Sequence, residues 1–162
     1  MLEQVVTVLL WFCAIGCGLV AGLFFAFSTF IMKALAKIAP PHGITAMQSI
    51  NSTILGSLFM PLFFGTTLGS ALLIVAALLQ WGQPDMVPIV SGALIYVLGM
   101  FICTVLFNVP LNNQLAAVSA QSSEALPVWS RYLSRWTRWN HVRTVASSVA
   151  SGLFIVALLR AG

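Results

Sequence analysis

The sequence predicts an all-α fold: a four-transmembrane-helix bundle with an extra amphipathic, interfacial helical segment between the third and fourth spans. Two observations predict it. Of the 162 residues, 60% are hydrophobic and only 6% are charged, far from the averages of soluble proteins. Four apolar runs are long enough to cross a bilayer, with breaks between them. We expect one integral membrane domain, 1–162, with approximate spans at 5–32, 51–81, 87–107 and 140–159.

Each span has its own justification. The first is uncharged and follows Glu3 rather than a basic segment, so it is too long and wrongly flanked for a cleaved signal peptide. A Pro-Pro-His-Gly break at 40–43 precedes the second span, in which Pro61 predicts a bend. A turn at 82–85 precedes the third span, and a long polar stretch separates it from the fourth.

Small residues inside the spans predict close helix packing. Two glycine pairs match the small-xxx-small pattern that lets helices approach one another. Three cysteines, an odd number, all fall inside spans, so no disulfide framework is expected and we interpret them as packing residues. A metal or redox pair is the alternative for the two cysteines one turn apart. The residues are Gly18 with Gly22, Gly65 with Gly69, and Cys13, Cys17 and Cys103.

The basic residues predict the orientation in the membrane. They concentrate in the first and third connections, while the second connection carries only Asp85. By the positive-inside rule, loops 33–44 and 108–141 are cytoplasmic and both termini lie outside. We expect the cytoplasmic (plasma) membrane, and we read the net charge of +4 as contact with membrane lipids rather than with nucleic acid.

An unusual stretch, RYLSRWTRWNHVRT at 131–144, combines arginines with tryptophans. At 100° per residue, a helix over 129–143 separates it into two faces. Arg131, Arg135 and Arg138 share one face, where they are expected to meet water or lipid phosphates. Arg143 lies on the aromatic face instead. Because a span counted back from Leu159 begins near residue 140, Arg143 should lie about one turn inside it, paired or functional.

Polar side chains collect at the same predicted end of all four spans. Amides and charges near hydrocarbon must find partners, because water is scarce there. Their convergence predicts a cavity with apolar walls and a polar floor, the usual form of a small-molecule site. The two asparagines around Pro110 are equally consistent with a helix stop and its caps. The tryptophans have the alternative of an interfacial aromatic belt. Candidate substrate-binding residues are Ser28, Asn51, Asn108, Asn112, Trp136, Trp139 and Asn140.

The two histidines lie at this end as well. His141 and His42 are candidate proton acceptors, because an imidazole titrates near neutral pH. Either is also a candidate axial ligand for haem, which we retain as a minor possibility. The carboxylates are scattered, without metal-ligand spacing, so no metal site is expected.

Four blocks carry a resemblance to a known family: GLVAGLFFAFSTFIMKAL (18–35), AMQSIN (46–51), FNVPLN (107–112) and WTRWNHVRT (136–144). In this order, over nearly the whole chain, they resemble the anthrone oxygenases, small four-helix membrane proteins mostly without an assigned reaction. The resemblance implies oxidation of a tricyclic anthrone by O₂, without metal or flavin. A base, His141 or His42, would remove a proton and Arg143 would stabilise the enolate or phenolate.

The expected function is therefore cofactor-independent oxidation of a phenolic or aromatic small molecule. The expected ligand is a hydrophobic aromatic or quinone-like molecule, and the glycine faces leave a homo-oligomer possible. The alternative is a non-catalytic membrane protein that binds a lipid, quinone or haem, or that acts as an accessory subunit. A transporter is disfavoured, since the chain has no inverted repeat and no charged relay in mid-membrane.

Overall fold

The computed structural model describes residues 2–79 and 86–161, and every regular element in those two ranges is helical. The turn predicted at 82–85 lies outside them. We number five helices in chain order. They are α1, Leu2–Ala26 continued by a π-helical segment at Phe27–Ile31 and by Met32–Leu35; α2, Pro40–Leu55; α3, Phe59–Leu79; α4, Met86–Tyr96 continued by π-helical segments at Val97–Ile102 and Thr104–Asn108 and by Val109–Ala116; and α5, Ala125–Ala161.

Within the described ranges, four helices are long and apolar enough to cross a membrane: α1, α3, α4 and α5. This confirms the predicted all-α bundle. The helices form a closed ring, because α1 packs on α5, α5 on α4, α4 on α3 and α3 back on α1. The shorter α2 lies at one end, against α3, α5 and the last part of α4.

The segment predicted as the second span, 51–81, contains a break. α2 ends at Leu55, and the Ser57 hydroxyl accepts a hydrogen bond from the Phe59 amide at 3.2 Å, which caps α3. Pro61 falls in the first turn of α3, where the amide hydrogen that proline lacks is not needed. The direction change therefore occurs just before Pro61 rather than at it.

Past the third predicted span, 87–107, the chain stays helical. Pro110 cannot donate a hydrogen bond to the Leu106 carbonyl, yet the helix does not stop. It passes through wide π-helical turns at Thr104–Asn108 and resumes as an α-helix to Ala116. A similar π-helical segment occupies Phe27–Ile31 of α1, so both helices widen near the same end of the bundle.

The predicted interfacial segment and the fourth span, 140–159, form one continuous helix, α5, of 37 residues. At 1.5 Å per residue it is about 55 Å long, well beyond the roughly 30 Å hydrocarbon thickness. Its first part extends beyond the hydrocarbon, and it packs there against α2 and the end of α4. We call the end of the bundle at which this part of α5 lies the basic end. It carries five exposed basic residues: Lys33, Lys37, Arg131, Arg135 and Arg138.

Two hydrophobic clusters stack along the bundle. One is built by the inner faces of the four long helices, and the other, near the basic end, by α2 with the adjoining parts of α1, α4 and α5. Several buried polar residues lie close in sequence to the points where the helices pass from one cluster to the other. These residues are Ser28, Asn108, Asn140, Arg143 and Thr144.

Candidate functional site

A cavity of about 220 Å³ lies where the two hydrophobic clusters meet. All five helices contribute to its wall, which is mostly apolar and aromatic. Its volume is below the roughly 300 Å³ at which drug-sized sites begin, so it suits a compact guest. The polar residues that line it are Asn51, Thr104, Asn112 and Arg143, and the aromatic ones are Phe24, Phe27, Phe59, Phe63, Phe64, Phe101 and Trp136.

Arg143 is the charged residue of this wall. Its side chain is only 4% exposed, and its guanidinium carbon lies 4.1 Å from the ring centre of Phe24 and 5.0 Å from that of Trp136. Both distances are in the range of cation–π attraction. Its Nη2 donates to Asn140 Oδ1 at 2.7 Å, and its Nη1 donates to Thr104 Oγ1 at 3.4 Å. Both of these hydrogen-bond partners are neutral.

Neither glutamate neutralises this charge. Glu124 directly precedes α5, about 28 Å from Arg143 along the helix at 1.5 Å per residue, and Glu3 lies near the far end of α1. Nη1 and Nη2 are bonded as above, and the buried Nε has no hydrogen-bond partner among the described residues. The site therefore holds a desolvated cation that has room for an anionic guest.

Asn140 holds the arginine in position. Its Nδ2 donates to the Phe24 carbonyl and to Ser28 Oγ, each at 2.7 Å, while its Oδ1 accepts from Arg143. The Thr144 hydroxyl donates to the Asn140 carbonyl, so the 3.1 Å contact between Ser28 and Thr144 has Ser28 as donor. These bonds tie α1 to α5 and fix the orientation of the amide that receives the guanidinium.

A second polar group lies at the part of the cavity nearer the basic end. The Tyr132 hydroxyl donates to Asn112 Oδ1 at 2.8 Å and accepts from Asn51 Nδ2 at 3.3 Å. Tyr132 is buried, and both asparagines line the cavity. The cavity thus has two amides on the side nearer the basic end and a guanidinium elsewhere in its wall. Aromatic rings line the space between these polar groups.

Asn108 is fully buried behind the wall. Its Nδ2 donates to the Trp136 carbonyl at 3.2 Å, which joins α4 to α5. Its Oδ1 and the Trp136 Nε1 are buried without hydrogen-bond partners among the described residues. Asn108 therefore acts on the cavity through Trp136, whose ring lines it.

The structure separates the predicted site residues into three groups. Those that line the cavity are Asn51, Asn112, Trp136 and Arg143. Those that lie behind the wall and support it are Ser28, Asn108 and Asn140. Those that the structure does not bring to the cavity are His42, His141 and Trp139.

The side chains of these last three residues do not line the cavity. His42 lies in the first turn of α2 and His141 on α5, both with exposed side chains. Trp139 stacks on Phe107, with ring centres 3.7 Å apart and planes inclined by 5°. Neither imidazole therefore borders the cavity.

No group of three or more His, Cys, Asp or Glu side chains within residues 2–79 and 86–161 could hold a metal ion. Cys13, Cys17 and Cys103 are free and buried. Cys103 makes a long contact of 3.8 Å to the Trp139 carbonyl. Cys13 and Cys17 belong to the hydrophobic cluster away from the basic end, which agrees with their interpretation as packing residues.

Sequence reasoning missed three contributors: Phe24, Thr104 and Tyr132. A usable signal existed for the first two, since residues four apart share a helix face. Phe24 precedes Ser28 by four residues, and Thr104 precedes Asn108 by four. Tyr132 shares a helix face with Trp136 and Arg143, but the helical angle does not show which residues its hydroxyl meets.

Comparison with known proteins adds the family. The family model described as anthrone oxygenase matches residues 52–153, more than half of the chain. The matched part contains Arg143, Asn140, Asn112 and Asn108, and begins directly after Asn51. No curated protein and no solved structure matches the chain. On the extent of this match, the chain belongs to the anthrone oxygenase family.

Proposed function

We propose that this protein is an anthrone-oxygenase-like membrane oxygenase, which oxidises a phenolic or aromatic small molecule with O₂ through an enolate or phenolate held by Arg143. Family membership supports the general class of activity. One observation carries the mechanism: a guanidinium, 4% exposed, borders an apolar cavity and has only neutral hydrogen-bond partners among the described residues.

The charge of Arg143 selects the guest. Burying a cation without a counter-ion costs several kcal/mol. Even the insertion scales that give the smallest penalty put it at about 3 kcal/mol. An anion in the cavity offsets that cost, because their attraction is strong where water is excluded. Flat aromatic surfaces suit the rings of Phe24, Phe27 and Trp136. An aromatic enolate or phenolate satisfies both requirements.

The chemistry is balanced by a single molecule of O₂. The enolate gives one electron to O₂, and the resulting radical pair combines to form a peroxide anion at the former methylene carbon. Protonation gives a hydroperoxide, and loss of water from it leaves a ketone. One oxygen atom thus enters the product and the other leaves as water. The electrons come from the substrate itself, and Arg143 stabilises the anion from which they are drawn.

The proton needs a different route from the one expected from the sequence, because His42 and His141 lie outside the cavity. The polar side chains of the wall are amides, a hydroxyl and a guanidinium, none of them a base at neutral pH. We therefore propose that water accepts the proton of the substrate. The protein contributes by lowering the free energy of the resulting anion. Asn51 and Asn112 would hold a second oxygen of the same guest.

The orientation in the membrane belongs to this proposal. Five exposed lysines and arginines lie at the basic end and Arg160 alone lies at the opposite end, so the basic end is placed in the cytoplasm and both termini outside. The cavity then lies near the cytoplasmic boundary of the bilayer. No bound metal, flavin or haem is part of the proposed reaction.

Arg143→Gln tests the mechanism, with anthrone as the probe and purified protein in lipid nanodiscs. Turnover, measured as O₂ uptake and quinone absorbance, should fall by about 100-fold or more, the loss expected when a main stabiliser of a reacting oxyanion is removed. Residual turnover should shift to higher pH, because the bound substrate loses the charge that favours its ionised form. Arg138→Gln, an exposed arginine on the same helix, is the matched control and should leave turnover unchanged.

Two other results would count against the proposal. Equal turnover in Arg143→Gln and wild type would remove Arg143 from the mechanism. Binding can be followed separately with 2-naphthol, whose neutral and ionised forms absorb at different wavelengths. If 2-naphthol binds in its ionised form but anthrone causes no O₂ uptake, the protein is a non-catalytic binder of aromatic anions.

A further inference from the structure

The residues that line the cavity are not equally enclosed. Most are buried or half-buried, but four apolar ones are exposed: Leu55 at 66%, Phe64 at 53%, Val105 at 45% and Val109 at 39%. Leu55 is the last residue of α2 and Phe64 lies in the second turn of α3, whereas Val105 and Val109 lie on α4. The exposed part of the wall is therefore a gap between the α2–α3 break and α4.

The two edges of this gap are closed by contacts. On one side, Phe64 meets Phe101 edge to face, with ring centres 6.3 Å apart. On the other side, Gln48 Nε2 donates to the carbonyls of Leu115 and Val118, at 2.8 and 3.0 Å, and ties α2 to the end of α4. Between these contacts α3 does not continue α2, because the chain turns at 56–58. The gap follows from that break.

The gap has the apolar surface of a region that contacts hydrocarbon rather than water. The four exposed residues are apolar, and Leu58, in the break, is 89% exposed. Phe64 and Val105 lie in helices that are long and apolar enough to cross a membrane. In such helices, exposed apolar side chains contact lipid. Behind the gap lie Thr104 and Arg143, so the opening leads from lipid to the buried cation.

We propose that the substrate reaches the cavity sideways from the lipid bilayer, through the gap bordered by Leu55, Phe64, Val105 and Val109. The substrate class is then a membrane-dissolved aromatic molecule with an ionisable hydroxyl or enolisable ketone, which enters neutral and is held as its anion by Arg143. This identification of the substrate rests on the proposed function. The lateral opening itself rests on the exposed lining residues and can be tested without any substrate.

The test uses a cysteine placed inside the cavity. Met47 is 1% exposed and lines it, so Met47→Cys reports access to the interior. N-(1-pyrenyl)maleimide dissolved in the lipid of proteoliposomes is compared with a charged, bilayer-impermeant maleimide in the surrounding water. The protein without Met47→Cys, whose three described cysteines are buried, gives the background rate. We expect the lipid-dissolved reagent to label Met47→Cys and the impermeant one to give only background.

Val105→Trp is then added to fill the gap. It should slow labelling from the lipid by about tenfold, because a ring wedged into a packed contact must move aside for each passage. Leu98→Trp is the matched control, since Leu98 is an exposed residue of the same helix, 60% exposed, and does not line the cavity. It should leave the rate unchanged. If Val105→Trp impairs folding, Phe64→Ala replaces it and should speed labelling, with Leu68→Ala as its control.

Each contrary outcome has a definite meaning. Labelling at equal rates by the impermeant reagent would show that the cavity opens to water, and an absence of labelling from lipid would show that the gap is closed. An unchanged rate in both Val105→Trp and Phe64→Ala would place the opening elsewhere. Because labelling does not involve Arg143, unchanged turnover in Arg143→Gln would overturn the proposed reaction and still leave the result for the opening intact.

Discussion

At the scale of single residues, the site depends on one amide. The side-chain amide of Asn140 accepts a hydrogen bond from the guanidinium of Arg143 through Oδ1. Through Nδ2 it donates to the Phe24 carbonyl and to the Ser28 hydroxyl of α1. An amide can do this because it offers donors and an acceptor in one plane. A carboxylate at the same position would pair with the arginine but could not donate to α1. The neutral residue leaves the positive charge available to a guest.

Asn140→Leu should lower the free energy of unfolding by about 2–4 kcal/mol, because each buried polar group left without its partner costs about 1–3 kcal/mol. The leucine has the same number and branching of side-chain heavy atoms, so little of the loss would come from a cavity. Denaturant titration in detergent, followed by tryptophan fluorescence, measures the change. Asn113→Leu, at an exposed position, should stay within about 0.5 kcal/mol of wild type. Equal stability of the two variants would contradict the role assigned to Asn140.

At the scale of helices, close approach is decided by particular glycines. A Cβ added at Gly99 would lie 2.6 Å from Ala146 Cβ, and one at Gly69 would lie 2.7 Å from Cys13 Sγ. These contacts join α4 to α5 and α3 to α1. Gly22, by contrast, has open space around its missing Cβ. The small-xxx-small pattern at Gly18 and Gly22 therefore does not mark a close helix contact, whereas the pattern at Gly65 and Gly69 does.

Gly99→Ala should force α4 and α5 apart and cost about 1–3 kcal/mol of stability, the usual penalty for overpacking. Gly22→Ala is the control with the same chemical change. It should be neutral or stabilising by up to about 1 kcal/mol, since alanine favours helices more than glycine does. The same denaturant titration compares the two. A loss of equal size at Gly22 would mean that helix packing does not explain the effect at Gly99.

At the scale of the whole molecule, the bundle is asymmetric along its axis. One hydrophobic cluster belongs to the four long helices and the other to the basic end, where α2 and the first part of α5 add a further layer. The cavity lies at their junction, where the π-helical segments widen α1 and α4. A site at this depth has polar partners on one side and hydrocarbon on the other, which suits a guest with a ring system and an acidic oxygen.

The proposed orientation predicts where reporter proteins function. Alkaline phosphatase fused after Gly162 should be active in a bacterial host, because that enzyme folds only outside the cytoplasm and the positive-inside rule places the C-terminus there. The same reporter inserted into 117–124, between α4 and α5, should be inactive. Green fluorescent protein at the two sites should give the reverse pattern. Phosphatase activity at 117–124 alone would invert the proposed topology.

The fold class and part of the site could be predicted because they follow from local patterns. Apolar length identified the four crossing helices, and helical periodicity separated Arg143 from Arg131, Arg135 and Arg138. The bounds were harder, since Pro110 reads as a helix stop unless the preceding turns can widen, and the break after Leu55 depends on how α2 packs. Such adjustments are made by neighbouring helices rather than by the local sequence.

The sequence by itself determined that this is a four-helix bundle of the membrane-crossing type, with a buried arginine at its basic end, because hydropathy and periodicity are properties of short segments. Only the tertiary structure decided which polar residues meet. It brought Asn51, Asn112 and Arg143 to one cavity and left His42 and His141 on the surface. The physical reason is that the direction of a side chain depends on helix rotation and on the partners across the bundle, which residues distant in sequence supply.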